Sequence, residues 1–199
     1  MNLEDYLAPV NQSLLLGSDY PEQQRVGHSL RIHKELDGVP DLEGVQIALL
    51  GVMEDRSSQN PGCAQTPNEV RKYLYTLYWG SWEQQIADLG NIYAGEKVQD
   101  TQESLAEVCF QLLKAGIIPL VIGGSQDLTY GTYRAYDRLE QTVNLVAVDP
   151  QFDLGKQEDS LHHHSYLSHI ILQQPYILFN YSNLGYQTYF VNQEEIDLM

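Results

Sequence analysis

From Val45 onward, strand-like apolar runs alternate with helix-like segments, and this alternation constrains the chain more than any other feature. Parallel strands need a long crossover to join them, and the helices that make the crossovers cover the faces of the sheet. The expected class is therefore α/β, with a mainly parallel sheet covered by helices. The first strand is Val45-Gln-Ile-Ala-Leu-Leu-Gly-Val52, followed by a loop rich in Ser, Asn, Pro and Gly from Glu54 to Gln65. A helix then starts with Thr66 as N-cap, Pro67 in the first turn and Glu69 at the capping-box position. Val70, Leu74, Leu77 and Tyr78 repeat at helical spacing and are its predicted buried stripe.

Ile86-Ala-Asp-Leu-Gly90 reads as a short strand. The next helix, capped by Asp100 and Glu103, carries Leu105, Val108, Cys109, Leu112 and Leu113 on one face and stops at Gly116. Ile117-Ile-Pro-Leu-Val-Ile122 is apolar on both sides, as a doubly covered strand is, with Pro119 out of character. Gly123-Gly124 turns the chain into a helix expected over 125–140. Val143-Asn-Leu-Val-Ala-Val148 is the following strand and opens into Asp149-Pro-Gln-Phe-Asp153. An acidic, His-rich stretch runs from Gln157 to His164. A helix is expected over 165–173, with strands at Pro175 to Phe179 and Thr188 to Val191. The first 44 residues show one Leu14-Leu15-Leu16 run without a period and are expected as a surface arm or short helices.

With 11 Lys+Arg against 27 Asp+Glu, the net charge is -16, a field that repels phosphate backbones and anionic headgroups. No nucleic acid and no membrane partner is expected. The N-terminus has neither a basic start nor an apolar core of a leader peptide, so a cytoplasmic location is expected. Cys63 and Cys109 are far apart in sequence and lack C-x-x-C spacing, which predicts two reduced thiols. Among Tyr73, Tyr75, Tyr78, Trp79 and Trp82, aromatic clustering suits a subunit contact, and a homo-oligomer is expected; a core-and-rim stripe on one helix explains the cluster equally well.

In an open parallel sheet, ligands bind beyond the carboxyl ends of the strands. Two such ends carry polar sequences, Gly123-Gly-Ser-Gln-Asp127 and Asp149-Pro-Gln-Phe-Asp153, and both are expected to open onto one edge of the sheet. These segments resemble the metal motifs G-G-D-H-S and D-A-H-x-D of the ureohydrolases, the arginase, agmatinase and formiminoglutamase family. Pro67-Asn-Glu-Val-Arg71 and Asp88-Leu-Gly-Asn-Ile92 are similar, in the same order, to that family's P-x-x-I-R and D-L-G-D segments.

The resemblance implies a single arginase-like α/β domain over residues 1–199, three-layer αβα around a mainly parallel sheet, without its C-terminal part, because the family's last metal motif, S-x-D-x-D-x-x-D-P, is absent. In the family the last strands enter near the middle of the sheet, so a chain of this extent is expected to leave strand edges bare. The resemblance also implies two manganese ions per chain in an active member, bridging the hydroxide that attacks the guanidino carbon. Matched one by one, the family's two metal-binding histidines fall on Gln126 and Gln151, while Asp149 and Asp153 keep their carboxylates. A neutral amide oxygen does not replace an imidazole at manganese. The leading expectation is thus a degenerate, non-catalytic member with a binding or scaffold role. Its ligand is a small guanidino or cationic molecule drawn by Asp149 and Asp153, and no manganese is retained. The alternative is an active hydrolase of linear amidines such as agmatine, arginine or formiminoglutamate. There Asp149 and Asp153 are catalytic, and Gln126 and Gln151 are unusual ligands.

A third reading takes Ser125 as the nucleophile of a serine hydrolase, with Asp149 or Asp153 and then His162 to His164 in the order Ser, Asp, His. Asp127 stands where that turn needs a glycine. The run His162-His-His164 with His169 suggests a metal cluster, but consecutive histidines point in different directions, and a solvated loop is the expectation.

Overall fold

The computed structural model describes residues 3–15, 25–155 and 160–199. Its elements in chain order are β1 (Leu7–Ala8), α1 (Val26–Ser29), β2 (Arg31–Ile32), β3 (Ile47–Val52), α2 (Thr66–Leu74), β4 (Ile86–Ile92), α3 (Val98–Lys114), β5 (Ile118–Ile122), α4 (Leu128–Arg138), β6 (Val143–Val148), α5 (Tyr166–Leu172), β7 (Leu178–Leu184) and α6 (Gln193–Leu198). The predicted alternation is present, and the class is αβα. β3 pairs in parallel with both β4 and β5, and β6 pairs in parallel with β7. These strands form two separate sheets, one in the order β1-β4-β3-β5 with β2 also on β4, the other β6-β7.

Side-chain alternation along β4 shows why helices lie on both faces. Ala87 and Leu89 enter a core with Leu105, Val108, Cys109 and Leu112 of α3. Asp88 points the other way, to Arg71 and Tyr75. Each fully buried Leu in that core contributes about 1.5–3 kcal/mol relative to exposure. A second core gathers Tyr133, Phe152, Tyr166, Leu167 and Ile170 under Val143 and Leu145. α4 joins the two: Leu128 and Ala135 belong to the first core, Tyr133 to the second.

Several expectations are corrected. The first 44 residues hold short helical turns, but they also add β1, antiparallel, and β2, parallel, to β4, burying Leu7, Val10 and Ile32. Leu16 lies outside the described residues. The buried stripe of α2 is Pro67, Arg71 and Tyr75, because a buried carboxylate on β4 recruits the arginine; Val70, Leu77 and Tyr78 are exposed. Thr66 is the first helical residue, since a 3-10 turn over Cys63–Gln65 precedes it. α4 starts at Leu128 because 125–127 form the turn. The predicted strand at Pro175 to Phe179 is displaced to β7, and 188–191 form a turn. Both cysteines are free, Cys109 in the core.

Candidate functional site

The two polar strand ends meet. β5 runs into Gly123-Gly124, and a Cβ on Gly124 would lie 2.1 Å from the Glu54 carbonyl oxygen. Only glycine lets this turn close against the loop after β3, where the Ser125 amide donates to that same carbonyl at 2.9 Å. The turn then aims Gln126 at the loop after β6, and its Nε2 donates to Asp149 Oδ2 at 2.5 Å. The other oxygen of Asp149 accepts from the Gln151 backbone at 2.8 Å. The Gln151 side chain turns away and donates to the Phe190 carbonyl at 3.3 Å.

Asp153 is 2 % exposed and adopts a positive φ of 56°, which turns its carboxylate inward. Its Oδ1 accepts from His164 Nδ1 at 2.8 Å, while Oδ2 is buried with no hydrogen-bond partner among the described residues. Burial pushes this carboxyl up from its ordinary range; the His164 hydrogen bond pulls it back, and the charge of Asp149 adds to the rise. Asp153 faces a cleft of about 350 Å³ whose walls include Gln151, His162, His164, Phe190 and the acidic pair Glu194 and Glu195 from α6.

A second carboxylate, one that a motif match does not single out, stands at the end of the turn after β5. Asp127 is wholly buried and accepts from Ser57 Oγ at 2.5 Å, from Gln102 Nε2 at 2.5 Å and from the Ser125 hydroxyl. Ser125 is itself buried, and its proton goes to that carboxylate instead of an imidazole. The serine-nucleophile arrangement is therefore not the one built here. The histidine run is not a solvated loop, which corrects the expectation: its rings are half-buried. They do diverge, with His164 on Asp153 and His163 Nδ1 donating to the Ser57 carbonyl at 2.6 Å. Ser57, Gln102, His163 and His164 reach the site from distant segments, and no spacing in the sequence signals it.

The donor set does not fit a dinuclear manganese centre. Among the described residues, no group of three or more His, Cys, Asp or Glu side chains is placed to hold a metal ion. Asp149 has both oxygens turned to N–H donors, one of them the Gln126 amide that stands at an expected imidazole position. What the arrangement offers instead is an excess of negative charge: a buried carboxylate oxygen that is unpaired among the described residues, two glutamates and an aromatic ring around one opening.

Comparison with known proteins agrees with this architecture. A formimidoylglutamase of Lysinibacillus sphaericus is 27% identical over 182 residues, covering 83% of this chain and 55% of its own length. One from Hahella chejuensis is 29% identical over 141 residues, 66% of this chain and 43% of that protein. The chain thus spans about half the length of the curated relatives it matches. Among solved structures, Trypanosoma cruzi formiminoglutamase with Mn²⁺ superposes with a TM-score of 0.74 at 18% identity, over 87% of this chain and 61% of that one. Bacillus subtilis formimidoylglutamase gives 0.69 at 19%, over 79% and 53%. The Arginase family model matches residues 45–198, the span that holds all the parallel strands except β2, and the chain belongs to the arginase family.

Proposed function

We propose that this chain is a non-catalytic arginase-family protein that binds a small cationic compound, guanidino or amidine in chemistry, in the cleft beside Asp153, and serves a binding or scaffold role. One observation carries the reading: the Gln126 amide donates to Asp149 Oδ2, so a neutral N–H group occupies the side of the carboxylate that a metal ion would need. An amide here both removes a ligand and satisfies the remaining one, which lowers affinity for a divalent cation twice over. The cleft still favours positive charge. Among the described residues Asp153 Oδ2 is buried and unpaired, Glu194 and Glu195 stand on the cleft wall, and the Phe190 ring offers a face on which a planar cation can stack.

The test has two readouts. After incubation with excess manganese and dialysis, metal analysis is expected to find well under one ion per chain, with no urea or formamide released from arginine, agmatine or formiminoglutamate. In calorimetry, a guanidino or amidine compound binds, and Asp153→Asn weakens it at least about tenfold, the scale of one charge-assisted hydrogen bond. Retention of about two manganese ions with product release overturns the reading. It would support the second one, an active hydrolase of a linear amidine with catalytic Asp149 and Asp153. That reading draws on the formimidoylglutamase relatives and on the two carboxylates kept together on one loop. We place the protein in the cytoplasm as a homo-oligomer. The exposed Tyr73, Tyr78 and Trp82 supply its contact surface, while Tyr75 belongs to the core.

A further inference from the structure

His163 and His164 reach different partners, yet their rings are in contact, with centroids 4.1 Å apart and planes tilted by 47°. Each Nδ1 of the histidine run has its own bond. That of His162 accepts from the His164 backbone amide at 3.1 Å, that of His163 donates to the Ser57 carbonyl at 2.6 Å, and that of His164 donates to Asp153 at 2.8 Å. Ser57 is itself anchored. It sits in the loop after β3, and its hydroxyl donates to Asp127, the wholly buried carboxylate that Gln102 of α3 also holds. His163 is thereby tied to the frame of the first sheet. Its Nε2 is buried without a partner among the described residues, so the ring occupies this place at a cost in hydrogen bonding, with its face against His164.

His164 needs such a backing. Its side chain is 34% exposed while that of Asp153 is 1% exposed, so water competes for the imidazole but not for the carboxylate. The backbone around the pair is already fixed. The Leu167 amide donates to the Asp153 carbonyl at 3.3 Å, the His162 amide donates to Ser165 Oγ at 3.1 Å, and a Cβ on Gly155 would lie 2.8 Å from the His164 carbonyl oxygen. The side-chain torsions of His164 are then the freedom that is left, and the His163 ring lies across them. What they govern is the direction of Asp153. With Oδ1 held by His164, the carboxylate plane is set, and Oδ2 is the oxygen left for the cleft.

We propose that His163 is a positioning residue for cation binding: pinned by Ser57 to the frame of the first sheet, its ring keeps His164 on Asp153 and so fixes the direction in which the unpaired carboxylate oxygen is presented. The inference rests on the cleft beside Asp153 being the cation site. His162 and His164 line that cleft, and His163 stands behind them. Groups that orient a metal-binding side chain from outside are typically worth about 10- to 100-fold in affinity, and a carboxylate that grips an organic cation depends on its orientation in the same way.

A double-mutant cycle separates positioning from general packing. Agmatine is the probe, titrated by calorimetry into the chain and its variants. His163→Ala is expected to weaken binding about tenfold in the parent chain, and to change it by less than about twofold once His164→Ala is already present, since the first ring acts only through the second. A loss of the same size in both backgrounds overturns the proposal, because a merely structural residue weakens both alike. His163→Asn guards against misfolding. Its amide N–H still reaches for the Ser57 carbonyl, so the melting temperature should be kept, while binding falls as far as in the alanine variant because the ring is gone. Parent-like binding by either variant overturns the proposal too, and leaves the cleft reading standing as long as Asp153→Asn still weakens binding. If the parent chain takes up no agmatine, the cleft reading fails and this inference falls with it.

Discussion

Arg71 is wholly buried, and its guanidinium is held in a fork: Nε and Nη2 each donate to Asp88 at 2.8 Å, and Nη1 to Asn91 at 2.7 Å. The Tyr75 hydroxyl donates to the same carboxylate at 2.7 Å. Replacing one member of such a pair strands the other without water, so Arg71→Ala is expected to cost about 3–5 kcal/mol, measurable as a lower urea midpoint with little change in slope. This pair also gives two of the four motif matches a physical meaning: the arginine of the P-x-x-x-R segment and the aspartate of the D-L-G segment are one contact. A helical stripe of hydrophobic residues predicted Val70, Leu77 and Tyr78 inside, and periodicity alone has no way to register that a carboxylate on the neighbouring strand reverses the sidedness of the helix. The meeting of Gln126 with Asp149 was legible because both segments follow parallel strands. The roles of Ser57, Gln102, His163 and His164 were not, since each depends on which distant loop packs beside it.

At the level of elements, the turn between β5 and α4 is the most constrained. Gly124→Ala would place a methyl group against the Glu54 carbonyl, backbone against backbone, with no flexible side chain to yield. A loss of roughly 1–3 kcal/mol is expected, together with displacement of Gln126 from Asp149; chemical denaturation and the backbone shifts of residues 149–153 report the two effects. Glu54 anchors the opposite loop. Burial raises its carboxyl pKa, but the hydrogen bonds from Arg56 and Thr101 and the charge of Arg56 outweigh that, and the net result lies below the ordinary carboxylate value. Strands were read from sequence to within two or three residues where both faces are apolar. β7 was displaced because its Asn, Tyr and Ser residues, Asn180 to Asn183, carry no alternation to fix it.

For the whole molecule, a charge of -16 at neutral pH means that folding concentrates like charges. Raising the salt from roughly 20 mM to 500 mM shortens the screening length from about 20 Å to a few ångströms, and the melting temperature should rise by a few degrees, at about 2–4 °C per kcal/mol. An unchanged or lower melting point would show that the acidic groups are already balanced locally, as Arg138 does for Glu103 and Glu107. The sequence could reveal the α/β class through its alternation, but not the division into two sheets, because β5 and β6 are apolar runs that read alike and carry no mark of which strand each pairs with. That division makes α4 a common wall: one rigid rod leans on both hydrophobic interiors. A rotation of that rod would widen or narrow the distance from Gln126 to Asp149, so the packing of the two hydrophobic interiors and the contact between those two side chains are set together.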